Sequence, residues 1–154
     1  MTIDPLDRII FQGNEAATAD FRSDSQTVHV LGPSGGSQWT YSGQHPNGSE
    51  LLGGLSTRPD GTVVSSTWFD NADADHTGSL QLHLFDMAGN VKTSSIGQRL
   101  IAGGRNTTIH DSAIGPSGEL AVVGDLGGEV LIGQGAIESH GTNDSDGLVI
   151  LIEP

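Results

Sequence analysis

Residues 28–44 read VHVLGPSGGSQWTYSGQ and residues 82–98 read LHLFDMAGNVKTSSIGQ. At an offset of 54, His29 falls on His83, Gly35 on Gly89, Gly43 on Gly97 and Gln44 on Gln98, while Val28 and Val30 fall on Leu82 and Leu84. The same offset carries Ile9 and Ile10 onto Val63 and Val64, and Pro5 onto Pro59, so one register holds from residue 5 to 44. Glycine matches are cheap in a chain with 23 glycines, so the apolar spacing and the turn positions carry the argument. A third copy follows. PDGTVV at 59–64 lies 57 positions before PSGELA at 116–121, and LQLHLF at 80–85 lies 68 before LVILIE at 148–153. The second offset is the larger, which places an insertion between the two segments of the third copy.

Each copy offers short apolar runs bounded by Gly, Pro, Asn or Asp, the pattern of strands joined by tight turns. Strands are expected near 8–13, 26–31, 37–42, 61–68, 79–86, 91–96, 108–114, 119–124 and 147–153, with LLGGLST at 51–57 a further candidate. The third copy has no fourth strand, and the first has at most the stub MTID in place of its opening strand. Four short antiparallel strands recurring at these offsets cannot bury both faces alone and must stack on neighbours, as propeller blades do. The expectation is a single all-β domain over 1–154, a partial β-propeller of about three repeats at 5–58, 59–115 and 116–154. The competing architecture is a β-sandwich or jelly roll. A helix over 5–20 competes locally, since Ala16, Ala17 and the acids favour one, against Gly13 and the β-branched pair before it.

The runs DGTVVSSTW, LHLFDMAGNV and HDSAIGPSGELAVVGDLGGEV, followed by GTNDSDGLVILIE, resemble the repeats of bacterial β-propeller proteins of the SBBP type. The resemblance covers most of residues 55–154 and, more weakly, 5–50. It implies a propeller scaffold and brings no single activity with it. The PLDR start of the first copy, poor in glycine, and the missing last strand depart from the pattern.

Composition narrows the function classes. Nineteen acids against six bases give a net charge of −13, so a basic stripe for nucleic acid or an anionic membrane is absent. No window approaches the ~18 apolar residues of a membrane-spanning helix, and the opening MTIDPLDRII lacks the features of a secretory signal. Zero cysteines exclude disulfides, thiolate catalysis and thiolate metal sites.

Chemistry-bearing motifs are sparse. GPSGG at 32–36 fits the G-x-S-x-G nucleophile pattern, but the segment after it reads as a strand, and GPSG recurs at 115–118 between two strands, so a turn explains both. GQGAIE at 133–138 begins like a dinucleotide loop, yet Glu138 stands in place of the third glycine and no helix follows. The acidic loops say more. DNADADHTG at 70–78 spaces Asp70, Asp73 and Asp75 as alternating oxygen donors, and Asp144 and Asp146 occupy the corresponding end of the third copy. Hard cations such as calcium take such donors, although the EF-hand glycine and bidentate glutamate are missing; a solvated polar loop is the plainer reading. His29 and His83 read as a repeated half-exposed side chain, while His76 and His140 flank the acidic loops. Trp39 and Tyr41 alternate on one strand face, and read as packing between blades rather than as a sugar-stacking platform. Three sequons, at Asn47, Asn106 and Asn143, are weak evidence in a chain rich in Ser and Thr.

The function expected is therefore a non-catalytic structural or interaction module, for example in a surface or virion assembly. The alternative is a ligand-binding propeller, carbohydrate- or calcium-dependent, acting through the acidic loops 14–25, 70–78 and 125–146 on one face. The apolar run 148–153, with no charge or bulge before Glu153, predicts an edge that is buried with residues 1–10 against another copy or a different subunit.

Overall fold

The computed structural model describes residues 1–16, 24–43, 48–71, 78–99, 107–132, 134–140 and 146–153. These residues form the strands β1 (Thr2–Ile3), β2 (Ile9–Ala16), β3 (Asp24–Leu31), β4 (Ser37–Ser42), β5 (Gly48–Thr57), β6 (Val63–Asn71) and β7 (Gly78–Phe85). Then come β8 (Val91–Arg99), β9 (Thr108–Ile114), β10 (Leu120–Leu126), β11 (Glu129–Ile132), β12 (Gly135–Glu138) and β13 (Asp146–Ile152).

One turn chemistry recurs through the fold. The reversals 4–8, 32–36, 58–62, 86–90 and 115–119 share the same two backbone bonds: the first residue's N–H donates to the fifth carbonyl, and the fourth N–H donates to the first carbonyl. Such a loop needs a left-handed fourth residue, which glycine adopts without a Cβ penalty. Gly35, Gly61, Gly89 and Gly118 sit there with φ of 80°, 84°, 85° and 91°, and in the first turn Asp7 takes the place with φ of 57°. The glycine-poor PLDR start is thus the same turn built with a tolerated substitute. First-position carboxylates brace two of these turns. Asp4 Oδ1 accepts the N–H groups of Leu6 and Arg8 at 3.0 and 2.8 Å, and Asp86 Oδ1 accepts those of Ala88 and Asn90 at 2.8 and 2.9 Å. Because a non-glycine residue in the left-handed region costs roughly 1–2 kcal/mol, less for Asp, Asp7→Gly is expected to raise stability by up to about 1 kcal/mol. Gly61→Ala should lower it by a similar or larger amount, since its added carbon would also lie 3.1 Å from Leu6 Cδ1. Urea midpoints of the two variants check both signs; a destabilised Asp7→Gly would contradict the strain argument.

The strands form antiparallel sheets ordered β1-β2-β3-β4, β5-β6-β7-β8 with β11 and β12 added beyond β8, and β9-β10-β13. Each is a meander of consecutive strands apart from the inserted hairpin, through which the chain leaves the third sheet after β10, joins the second, and returns to the third at β13. The described strands do not close into a ring. β2 and β6 begin at Ile9 and Val63, β3 and β7 at Asp24 and Gly78, β4 and β8 at Ser37 and Val91, the same offset of 54 in each case. Pairing also corrects the alignment of the last strand. Val63 lies opposite Phe85, while Leu120, its counterpart at an offset of 57, lies opposite Ile152. Phe85 therefore corresponds to Ile152, and the offset of LQLHLF is 67, not 68. A one-residue slip exchanges the two faces of a strand, and the uniformly apolar run offers no alternation to fix it.

Packing follows from these faces. Ile10, Val28 and Val30 of the first sheet meet Val63 and Phe85 of the second, with Trp39 and Tyr41 packed alongside. The opposite face of the second sheet carries Val64, Trp68, Leu80 and Leu82 onto Ile109, Leu120, Val122, Leu148 and Ile150 of the third. The middle sheet is therefore covered on both sides, and β6 is buried continuously from Val63 to Trp68. Trp39 stacks on Phe85 with centroids 5.4 Å apart and Tyr41 meets its edge at 5.0 Å, so these aromatics serve inter-sheet packing.

Two further expectations change. The competing helix over 5–20 is replaced, in its described part, by a turn and by β2, whose residues pair with β3 from Ile9 to Ala16. The segment 125–146, expected as loop, contains the hairpin β11–β12. β11 reaches back to β8 of the second sheet, pairing Val130 with Arg99 and Leu131 with Gln98.

Candidate interaction surface

The outer face of the third sheet exposes three large aliphatic side chains, Val123, Val149 and Leu151. Strand alternation turns Leu148 and Ile150 inward and Val149 and Leu151 outward. Exposure follows, at 5% and 9% against 69% and 73%. Across the sheet Val149 lies opposite Val123 and Leu151 opposite Ala121, which itself faces Ala113. Val123 is 38% exposed. Polar groups rim this patch. His110 Nε2 lies 2.7 Å from Asp125 Oδ2, and Asp111 Oδ1 accepts the N–H of Ser112 at 2.8 Å. β13 stands at the edge of its sheet, with β10 its one partner among the described residues.

Paired positions show what this face corresponds to. The pair Ile10–Val30 in the first sheet matches Val64–Leu84 in the second and Ala121–Leu151 in the third. Ile10, Val30 and Val64 are covered by the sheet that follows them, at 0%, 0% and 1% exposure. At the other end of the stack, Ile9, Phe11, His29 and Leu31 face away from the second sheet and are half-buried. Phe11 and His29 stack there with centroids 4.8 Å apart and planes 16° apart. His83, expected to be half-exposed like His29, is instead buried at 1%, because Tyr41 of the first sheet lies over it. Its Nδ1 is 2.9 Å from Thr93 Oγ1 and its Nε2 3.3 Å from Thr67 Oγ1.

The buried polar seam between the first two sheets was not foreseen from the sequence. Gln12 Nε2 donates to the Gly53 carbonyl at 2.6 Å, Ser65 Oγ donates to Gln12 Oε1 at 3.0 Å, and Gln26 Nε2 donates to Ser65 Oγ. The signal was present in TVVSSTW, where Ser65 and Thr67 fall on a face that also carries Val63. Partners of this kind satisfy groups that would otherwise be costly to bury.

The acidic positions are only partly placed. Asp70 lies in β6 opposite Gly78 of β7. Asp73, Asp75 and Asp144 fall outside the described residues, as does Asp20 of the first acidic loop. Asp146 opens β13 opposite Leu126, and its Oδ2 accepts the N–H of His140 at 2.5 Å, with His140 Nδ1 at 3.4 Å. Among the described residues no three His, Asp or Glu side chains gather as metal ligands. Ser34 lies exposed in the reversal between two strands, β3 and β4, and not at a strand-to-helix elbow. In the exposed turns the Asp86 carboxyl is held below its ordinary range by the Asn90 side chain and N–H, and the Asp60 carboxyl by the N–H and hydroxyl of Thr62. Both act within their own turn. The chain matches no protein-family model and no curated protein sequence.

Proposed function

We propose that the protein is a non-catalytic interaction module, a short run of propeller-type blades that assembles by stacking sheet on sheet, with itself or with another subunit of a larger structural assembly. The observation that carries this reading is the exposure of Val149 and Leu151 at positions whose counterparts in the other two sheets lie under a neighbouring sheet. Contiguous exposed apolar surface with a polar rim is the usual mark of a protein contact. The blade reading is supported by meanders of short antiparallel strands, by the constant offset of 54 between the strands of the first two sheets, and by face-to-face packing of successive sheets. Closing a propeller takes ~4 to 8 blades, so three sheets leave two faces open. A net charge of −13 disfavours a nucleic-acid partner. Light scattering at micromolar concentration is expected to give a mass well above 15.9 kDa; a clean monomer would overturn self-assembly, and failure to enrich any protein partner as well would overturn the module.

A further inference from the structure

Resting on that reading, we infer that the partner is a second copy of this chain, docked head to tail, the outer face of its third sheet receiving the free face of the other copy's first sheet. The argument is continuity with the two interfaces already inside the chain. In both, one sheet presents the face that contains Ile10 and Val30, or Val64 and Leu84, and the next sheet presents the opposite face, Val63 and Phe85, or Leu120 and Ile152. The third sheet still offers a face of the first kind, in Ala121 and Leu151, and the first sheet still offers one of the second kind, in Ile9 and Leu31.

The two open faces are complementary in chemistry as well as in position. One carries the aliphatic groups of Val123, Val149 and Leu151; the other carries the flat Phe11–His29 stack beside Ile9 and Leu31. His29 there occupies the place that His83 holds in the second sheet, where a neighbouring aromatic covers it. Two copies satisfy both interfaces at once, and a two-fold arrangement then joins six sheets in a closed ring. Such closure uses every open face, whereas a non-closing contact would propagate into a filament.

Leu151→Asp and Phe11→Asp test the docking, with Leu31→Lys replacing the second should it fail to keep the strand-rich circular dichroism of the parent. By sedimentation and light scattering the parent is expected at twice 15.9 kDa. Each variant alone should weaken the dimer by roughly 30-fold or more, the effect of removing a central anchor. Mixing Leu151→Asp with Phe11→Asp should restore part of the association, because the mixed pair regains one intact interface. Loss of dimer in Leu151→Asp alone, with Phe11→Asp unaffected, would overturn head-to-tail docking in favour of third sheet against third sheet. Two unaffected variants would overturn the docking while leaving self-assembly standing, and a monomeric parent would overturn both.

Discussion

Adding one methyl group at Gly54 is expected to destabilise the protein by more than about 3 kcal/mol, while the same addition at Gly147 changes stability by less than about 0.5 kcal/mol. A Cβ at Gly54 would land on the backbone of Asp111 and Ser112, and one at Gly53 would lie 2.6 Å from the Ser66 carbonyl oxygen and 2.8 Å from Ile109 Cβ. β5 has its register shift between Leu52 and Leu55, so these two glycines form the irregularity that lets β9 approach the second sheet. Close by, Ser56 Oγ donates to the Ser112 carbonyl at 2.6 Å, a bond that the same displacement would break. Backbone cannot rotate aside as a long side chain does, so the two sheets must part and expose the core between them. Among the described residues nothing lies within 4 Å of a Cβ at Gly147. Urea denaturation of Gly54→Ala and Gly147→Ala measures the contrast, and a loss below about 1 kcal/mol at Gly54 would deny the close approach of β5 and β9.

That sensitivity marks the boundary of what the sequence discloses. Strands and turns were legible because they are local: alternation in VHV and LHLF and glycine before each apolar run already encode extended chain and a left-handed turn position. The faces were legible only where polar and apolar residues alternate. LVILIE is apolar throughout its first five positions, so nothing in it distinguishes an offset of 68 from one of 67, although the two place opposite side chains in the core. His29 and His83 are the same residue in equivalent positions, and the presence of a covering sheet alone separates them. EVLI and GAIE at 129–138 did carry a hairpin signal, two short apolar runs around Gly133 and Gly135. Their pairing with β8 is a contact between distant parts of the chain and leaves no local mark. The candidate surface was anticipated through its apolar edge, whereas the correspondence of its exposed face to buried ones required the register.

Asp4→Ala is expected to cost about 3–5 kcal/mol, because it strands a buried cation. Arg8 is 2% and Asp4 4% exposed. Arg8 Nε donates to Asp4 Oδ2 at 2.6 Å, while Arg8 Nη2, 2.6 Å from the same carboxylate oxygen in an ion pair, donates to the Gly61 carbonyl at 2.6 Å. The pair thereby ties the turn 4–8 of the first sheet to the turn 58–62 of the second. Burial pushes the Asp4 carboxyl up, but the Arg8 guanidinium and the N–H groups of Arg8 and Leu6 pull it down further, leaving it below its ordinary value of 3.8. A carboxyl depressed on folding stabilises the native state fully above its unfolded value, and that contribution is lost as the pH falls through the folded one. The stability difference between the parent and Asp4→Asn should therefore be constant above pH 5 or so and shrink below about pH 4. Taking the difference removes the parallel contributions of Asp60 and Asp86, which both proteins share. A gap that stays unchanged down to about pH 2 would show that Asp4 acts through its turn hydrogen bonds alone and that its charge contributes nothing to the joint between the sheets.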